Sequence, residues 1–207
     1  ARDATLRGLK VCLCEQRDLA SATSSASTKL IHGGLRYLEF GDFKLVRSAL
    51  LERKLLMSLL PGFIKPLRFV LPFKKGMRPL WLLRLGLWVY DHLGPLGDLL
   101  PTAKRSFQNN EFSPVLKDHF IEGLEYSDGW VDDARLVIFN ALEAVQIGAD
   151  IRPNCKVTSA KREDGHWLIT LSNGESVKAK ALVNATGPFV NQFIKEAERS
   201  EPLRSVR

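Results

Sequence analysis

The 207-residue sequence predicts a mixed α/β fold, and three segments indicate it. A helix over residues 1–8 ends at a glycine and leads into a short apolar strand over residues 10–14, which is followed by Glu15. Residues 156–180 form three strand-like runs separated by Asp-Gly and Asn-Gly turns, a pattern typical of a β-meander. An apolar run over residues 181–185 predicts one more strand. The length and the 45% apolar content are sufficient for one sizeable core.

The N-terminal segment has the order of the second half of a dinucleotide-binding βαβ unit. In such a unit the acidic residue after the second strand binds the adenosine ribose, about 20 residues beyond a glycine-rich turn. Counting back from Glu15 places that turn before Ala1. We therefore expect a fragment that lacks the first strand, the glycine-rich turn and a large C-terminal part.

The middle of the chain predicts two helices and a strand. Asp42 is typical of an N-cap for a helix over residues 43–60. Residues 68–73 predict a strand, and residues 79–93 predict a helix with proline in its first turn. Residues 94–117 contain prolines and glycines and predict a connecting segment.

The second half of the chain predicts one long helix before the meander. Asp132 and Asp133 begin this helix, which runs to Ile147, and both carboxylates favour the positive end of its dipole. Helix capping suffices as a role for these two acids. The elements that follow are, in order, strands over residues 156–161, 167–172, 175–180 and 181–185, a short helix to residue 197 and a charged tail over 198–207.

The most informative stretch of the chain is a run rich in polar side chains over residues 23–43, TSSASTKLIHGGLRYLEFGDF, which we call the polar stretch. An ordinary core helix would not carry so many hydroxyl groups together with a lysine, a histidine and an arginine. Hydroxyls and backbone amides at the start of a helix suit an anionic cofactor. Gly33 and Gly34 let the backbone approach a planar or charged ligand closely.

The run TSSASTKLIHGGLRYLE resembles the flavin-binding segment of the FAD-dependent glycerol-3-phosphate dehydrogenases, which are respiratory enzymes. The stretches LKVCLCE, YSDGWVDDARL and ALVNATGPF are also similar to that family and follow in its order. The resemblance implies FAD as cofactor and an FAD/NAD(P)-binding Rossmann-like fold of the glutathione-reductase/D-amino-acid-oxidase type. It implies a partial, discontinuous FAD-binding domain over residues 1–60 and 127–197, an inserted cap, substrate or membrane-facing region over 61–126, and a truncated tail over 198–207.

The resemblance also implies which residues contact FAD. Glu15 matches the ribose-binding carboxylate, and Val157 lies where similar folds provide backbone contacts to the adenine. The flavin-binding turn and a second strand end supply the other contacts, which are Ser24, Ser25, Ser27, Thr28, Lys29, Leu30, His32, Gly33, Ala185, Thr186 and Gly187.

Three residues of the polar stretch are candidates for the chemistry. A neutral imidazole accepts a hydroxyl proton near pH 7, so His32 is a candidate base for oxidation of a secondary alcohol. Alternatively, it only hydrogen-bonds the flavin or the backbone. In the resembled family an Arg-Tyr pair faces the substrate, and Arg36 and Tyr37 match this pair. An arginine fork suits a phosphate group, whereas the alternative is a surface arginine beside a packed tyrosine.

The resemblance implies oxidation of sn-glycerol 3-phosphate to dihydroxyacetone phosphate, with hydride transfer to flavin N5 and electrons passed to membrane quinone. The fragment alone is expected to be inactive. Two alternatives remain open. One is an FAD-dependent amine or amino-acid oxidase, in which Arg36 would bind a carboxylate. The other is a non-enzymatic, basic membrane-binding module.

The net charge of +7 is concentrated in the first half of the chain. Residues 53–90 contain eight basic residues and no acidic one, interleaved with Trp and Leu, which suits an anionic membrane surface. The alternative is a buried helix with solvated cations. The apolar run over residues 79–89 is too short to span a bilayer, and no nucleic-acid motif accompanies the charge.

These features also predict a location. We expect a cytoplasmic protein bound peripherally to the inner face of the cell membrane, and a homodimer is compatible with the resemblance. Cys12, Cys14 and Cys155 are an odd number without ligand-like companions, which favours a reducing compartment and offers no metal site.

Overall fold

The computed structural model describes residues 1–74, 76–107, 115–117 and 119–198. The chain divides into two compact units, which we call the terminal unit, residues 1–26 and 134–207, and the central unit, residues 27–133. The predicted domain boundaries at residues 60 and 126 differ from these. The assignment of an FAD-binding domain and an inserted domain stays a prediction.

Helices and strands are mixed along the chain. The helices are α1 Arg2–Leu6, α2 Phe43–Leu59, α3 Leu80–Leu93, α4 Asp133–Gln146 and α5 Val190–Phe193. The strands are β1 Cys12–Cys14, β2 Leu30–Ile31, β3 Lys65–Phe73, β4 Ala103–Ser106, β5 Glu122–Trp130, β6 Asp150–Arg152, β7 Val157–Glu163, β8 His166–Leu171 and β9 Ser176–Ala179. The described residues also form 3₁₀ helices over Leu35–Phe40 and Gly187–Phe189 and a π-helical segment over Ile194–Glu198.

The terminal unit contains a parallel strand pair and an antiparallel meander. β1 and β6 are the parallel pair, with Cys12 opposite Asp150. β7, β8 and β9 form the meander that the sequence predicts. Its first turn, Asp164-Gly165, has φ values of 48° and 76°, the left-handed conformations that a type I′ hairpin requires. The buried core against this meander consists of Cys155, Ala160, Ile169 and Leu171.

The central unit is built around β5. This strand lies in the middle of an antiparallel sheet in the order β2–β5–β3, and β4 also pairs with it. β3 and β5 stay in register from Lys65 opposite Trp130 to Phe73 opposite Glu122. The two helices α2 and α3 contribute a core of Val46, Leu50 and Tyr90.

The structure confirms helices α1 to α4 and strands β1, β3, β7, β8 and β9 at their predicted places and corrects the prediction in other segments. Residues 181–185 form no strand, because a strand needs a hydrogen-bonded neighbour and none of the described residues pairs with them. β4 lies inside the segment predicted as a connection, and β5 was not predicted. Residues 108–114 and 118 and most of the predicted tail, residues 199–207, lie outside the described residues.

Membrane-spanning segments are a separate question. No helix in the described part of the chain combines the length and the apolar character needed to cross a bilayer.

Candidate functional site

Glu15 lies at the carboxyl end of the parallel pair in the terminal unit. Its amide donates to the Arg152 carbonyl at 3.0 Å, and its carbonyl accepts from the Cys155 amide at 2.8 Å. The half-buried carboxylate accepts a 2.9 Å hydrogen bond from the Arg17 amide. The carboxyl edge of parallel strands is where nucleotides bind in open α/β sheets. The backbone therefore holds Glu15 at an edge suited to a ribose hydroxyl.

Ser24 and Ser25 lie in the turn that follows in the terminal unit. The Ser25 hydroxyl donates to the Ala20 carbonyl at 2.7 Å, and the Ser25 amide donates to the same oxygen at 3.1 Å. Ala20 itself has a φ of 60°, which reverses the chain at this point. Ser24 is half-buried and Ser25 is exposed.

Four more predicted cofactor contacts of the terminal unit lie in two different surroundings. The Val157 side chain packs against the meander core, so only its backbone is offered to a ligand. Ala185 and Thr186 are exposed and lie outside any strand, and the exposed Gly187 begins the 3₁₀ helix Gly187–Phe189. The Thr186 hydroxyl and amide both donate to the Asn184 side-chain oxygen, at 2.7 and 3.3 Å.

In the central unit, two acids hold residues 27–29 of the polar stretch. The Ser27 hydroxyl donates to the Asp133 carboxylate, and the Lys29 ammonium lies 3.3 Å from Asp132. Lys29 has a φ of 59°, and its carbonyl accepts from the Val131 amide at 3.0 Å. The sequence offered only helix capping for these acids, so their role in fixing this turn is a finding of the structure. Of the remaining predicted contacts here, Thr28 is exposed and Leu30 is half-buried in β2.

The ring of His32 is oriented by a hydrogen bond from the backbone amide of Gly34, two residues later in the chain. Its Nδ1 atom accepts a 2.9 Å hydrogen bond from the Gly34 amide. A neutral imidazole has one hydrogen, and an accepting Nδ1 places that hydrogen on Nε2. The exposed His32 ring therefore presents a hydrogen-bond donor outward.

Side chains pack closely against the backbone of both Gly33 and Gly34. A Cβ on Gly33 would stand 2.5 Å from Leu50 Cδ2 and 2.8 Å from Tyr90 Oη. Gly34 has a φ of 72°, and a Cβ there would stand 2.6 Å from the Tyr37 ring. A side chain at Gly33 would therefore require the buried Leu50 and Tyr90 to shift. At Gly34, in contrast, only the exposed Tyr37 ring would have to move, and the positive φ favours glycine.

A buried polar cluster lies directly behind this turn. The Gly33 amide donates to the Tyr90 hydroxyl at 2.6 Å, and that hydroxyl donates to the two Asp128 oxygens at 3.0 and 3.1 Å. Arg53 Nη1 lies 2.5 Å from Asp128 Oδ1, with side chains only 1% and 4% exposed. Burial raises the pKa of Asp128, although Arg53, Tyr90 and more weakly His32 oppose it. Burial and the Asp128 charge also raise the pKa of Tyr90.

Arg36 and Tyr37 lie on the 3₁₀ helix that starts after Gly34, and both are exposed. Glu39 on the same helix pairs with Arg78. The pKa of Glu39 is lowered mainly by the hydrogen bond from Arg78 and more weakly by the Arg36 charge. Neighbouring side chains on a helix point to different sides, so the two predicted substrate residues do not form one surface by adjacency alone.

Sequence reasoning missed the cluster of Arg53, Tyr90 and Asp128. It counted Arg53 as the first cation of a basic surface stretch, whereas the structure buries it against Asp128. One signal was available: Val46, Leu50 and Arg53 recur at i, i+4 and i+7 and share the buried face of α2. An arginine on such a face needs an acidic partner.

Two other cations of the stretch are also paired with acids. Arg68 lies 3.1 Å from Glu125, and Arg78 pairs with Glu39. The surface charge that remains for an external partner is therefore smaller than the sequence count indicates. Among the described residues, no group of three or more His, Cys, Asp or Glu side chains is placed to hold a metal ion.

Comparisons with known proteins place these features in context. A family model described as FAD dependent oxidoreductase matches residues 1–207. The chain is 48% identical to a D-erythritol 1-phosphate dehydrogenase from Brucella abortus, over 100% of this chain and 42% of that protein. It is 51% identical to a glycerol-3-phosphate dehydrogenase from Pseudomonas aeruginosa, over 100% of this chain and 41% of that protein.

A solved structure is similar as well. The glycerol-3-phosphate dehydrogenase from Bacillus halodurans, complexed with FAD, has a TM-score of 0.62 and 27% identity to this chain. The match covers 94% of this chain and 32% of that one. The chain thus spans about two fifths of the length of the curated relatives above.

Proposed function

The chain belongs to the FAD dependent oxidoreductase family, and we propose that the protein oxidises sn-glycerol 3-phosphate to dihydroxyacetone phosphate. The observation that carries the proposal is the 51% identity, over the whole chain, to a glycerol-3-phosphate dehydrogenase. The family match confirms the predicted flavoprotein fold and the FAD cofactor. Passage of the electrons to membrane quinone is a further part of the proposal.

The residues of the chain fit an FAD molecule. Bound FAD supplies the hydride acceptor, and the protein supplies position and charge. Glu15 would bind the ribose, because its carboxylate lies at the carboxyl end of β1 and β6. The remaining contacts proposed for FAD are Ser24, Ser25, Ser27, Thr28, Lys29, Leu30, His32, Gly33, Val157, Ala185, Thr186 and Gly187.

The sequence left two roles open for His32, a general base or a hydrogen-bonding residue. We propose the hydrogen-bonding role. The Gly34 amide donates to Nδ1, so Nε2 carries the hydrogen and can donate to the substrate or the cofactor. Accepting a proton at Nε2 would require a hydrogen on Nδ1, which would face the Gly34 N–H. This conflict favours a donor over a general base at this position.

Arg36 and Tyr37 are proposed to bind the substrate. Arginine binds phosphate through two parallel N–H bonds, and a tyrosine hydroxyl adds a donor with few torsions to order. Both side chains are exposed on the 3₁₀ helix that follows the His32–Gly34 turn. A phosphate would have to compete with Glu39 for the Arg36 charge.

A second candidate substrate is D-erythritol 1-phosphate, because a relative named for that substrate is 48% identical over the whole chain. It shares a phosphate and hydroxylated carbons with glycerol 3-phosphate and is one carbon longer. An arginine–phosphate contact would serve both. Discrimination between glycerol 3-phosphate and D-erythritol 1-phosphate must come from the pocket that holds the polyol end opposite the phosphate.

The membrane surface is the proposed site of quinone access. On α3, Trp81, Leu85 and Trp88 recur at i, i+4 and i+7 and are 67%, 49% and 56% exposed. Exposed tryptophans together with exposed cations such as Lys74 and Arg84 suit the interface of an anionic bilayer. Peripheral attachment on the cytoplasmic side and a homodimer are parts of this proposal.

The test uses protein of full family length, purified with its flavin. We expect sn-glycerol 3-phosphate to bleach the oxidised flavin absorbance anaerobically, faster than D-erythritol 1-phosphate, glycine or alanine. Bleaching by D-erythritol 1-phosphate alone would move the assignment to the longer polyol. Bleaching by an amino acid and by neither phosphate would overturn the proposal in favour of an oxidase, and protein without flavin absorbance would favour the non-enzymatic module.

A further inference from the structure

We propose that Tyr90 is a positioning residue: its hydroxyl, held by the buried Arg53–Asp128 pair, fixes the Gly33 amide and through it the His32–Gly34 turn for catalysis. This inference rests on the proposed function, because it concerns how the same turn performs the reaction. Arg53 comes from α2, Tyr90 from α3 and Asp128 from β5, so three elements converge on one backbone amide.

The direction of each hydrogen bond is determined by chemistry. An ionised carboxylate only accepts, so Asp128 takes the single hydroxyl hydrogen of Tyr90. The Tyr90 oxygen is then left with lone pairs and accepts from the Gly33 amide at 2.6 Å. Arg53 lies against Asp128 and favours its charged form, and a charged Asp128 fixes the hydroxyl as an acceptor toward Gly33.

The cost of burying these groups indicates that the cluster does more than fill space. Desolvation of a buried ion pair can exceed its Coulombic gain, and apolar side chains of similar volume often stabilise a core as well. Here the pair is directed at one turn. The turn is also shaped to receive it, because a side chain on Gly33 would collide with both Leu50 and Tyr90.

The restraint passes from Gly33 to the imidazole through adjacent bonds. Gly33 separates His32 from Gly34, and the Gly34 amide holds His32 Nδ1 at 2.9 Å. A shift of the Gly33 peptide plane would therefore move both the ring and the amide that orients it. Small errors in the placement of a reacting group lower catalysis strongly, even when binding is retained.

The decisive variant is Tyr90→Phe in flavin-loaded protein of full family length, with Tyr126→Phe as the matched control. The Tyr126 ring packs edge-on against Tyr90, with centroids 6.4 Å apart, so the control removes a hydroxyl from the same aromatic group. Two readouts are compared. One is hydrogen exchange of the Gly33 amide, measured on peptides spanning residues 30–35, and the other is the separate values of kcat and KM.

We expect Tyr90→Phe to speed exchange at Gly33 at least tenfold and to lower kcat roughly 10- to 100-fold with KM changed less than threefold. Tyr126→Phe should leave both readouts within about twofold of wild type. Unchanged exchange at Gly33, or a kcat equal to that of the control, would overturn the positioning role. If Tyr90→Phe fails to fold, exchange at Gly33 is compared between wild type and Asp128→Asn, and equal protection also overturns it.

The activity of the wild-type protein alone decides whether the proposed function is correct. A wild-type protein that neither polyol phosphate reduces overturns that function and the catalytic part of this inference together. An active wild-type protein in which Tyr90→Phe behaves like Tyr126→Phe overturns this inference and leaves the proposed function standing.

Discussion

Gly33 lies so close to Leu50 that a methyl group on the glycine would stand 2.5 Å from the leucine Cδ2 atom. Leu50 is fully buried on α2 and belongs to the same core as Tyr90. The turn that carries His32 is therefore packed directly onto the core of the central unit. Its position is set by side chains that are buried in that core.

The first prediction concerns this contact. Gly33→Ala should lower the free energy of unfolding by about 1–3 kcal/mol, because the added methyl overpacks a filled core. Urea unfolding of wild type and variant measures the difference. Gly86→Ala on α3 is the matched control, since a Cβ there meets nothing within 4 Å and a helical alanine is favoured over glycine. Equal stability of Gly33→Ala and wild type would show that Leu50 can move aside.

The second prediction concerns the buried Arg53–Asp128 ion pair and the pH dependence of its effect on stability. Arg53→Met should destabilise the protein by about 3–5 kcal/mol at pH 8, because it leaves the Asp128 carboxylate buried without its cation. Burial already raises the pKa of Asp128 above its usual 3.8, and loss of Arg53 raises it further. A carboxyl with a raised folded-state pKa contributes stability at low pH that is lost as the pH rises through that pKa.

The loss of unfolding free energy caused by Arg53→Met should therefore be smaller at pH 4.5 than at pH 8, because the Asp128 carboxyl becomes neutral at the lower pH. Urea unfolding at both values tests this, with Arg78→Met as control, since Arg78 pairs with Glu39 on the surface. The control should change stability little at either pH. A deficit of Arg53→Met that stays constant or grows on acidification would contradict the assignment of Asp128 as the affected group.

His32 gives the third prediction. If Nε2 donates a hydrogen bond, His32→Gln should retain more kcat/KM than His32→Ala, whose loss should be roughly 5- to 150-fold for about 1–3 kcal/mol. His92→Gln, on the exposed side of α3, is the control. The pH profile of kcat/KM separates the two roles. Loss of an acid limb in His32→Gln would identify the imidazole as the proton acceptor instead.

Arg36 supplies the fourth prediction. Arg36→Ala should cost about 1.5–3 kcal/mol in kcat/KM for sn-glycerol 3-phosphate, because a charged hydrogen bond to phosphate is removed. Arg36→Lys should recover part of this loss, since a lysine keeps the charge but not the fork. Arg47→Ala, an exposed residue of α2, is the control. Kinetics equal to the control would remove Arg36 from the substrate site.

Much of this fold could be predicted from the chemistry of neighbouring residues. The elements that were not predicted depend on pairing between residues far apart in the sequence. The helix start after Asp42 and the Asp164-Gly165 hairpin lie where the residues predict them, although the Asp42 side chain makes no capping hydrogen bond. β5 does not, because EGLEYSDGW has the glycines and acids of a loop and becomes a strand only by pairing with β2, β3 and β4. The same holds for Asp128, whose partners lie 38 and 75 positions away. For the site, the resemblance proposed contacts within residues 24–37, which stay a prediction, and it could not reveal which groups hold those residues in place.

The fifth prediction concerns the exposed face of α3. The double variant Trp81→Ser/Trp88→Ser should weaken binding of the full-length protein to vesicles of anionic phospholipid at least tenfold. Each aromatic side chain that becomes buried in the bilayer contributes about 1.5–3 kcal/mol to binding. Cosedimentation at low salt measures the binding. Leu59→Ser is the control, because Leu59 on α2 is 64% exposed, close to the 67% of Trp81. A charge reversal, Lys74→Glu, should weaken binding at low salt and matter less at high salt, because screening reduces the attraction of a cation to the lipid surface. Equal binding by the tryptophan variant and the leucine control would show that apolar exposure on α3 does not determine attachment, and another surface would have to carry it.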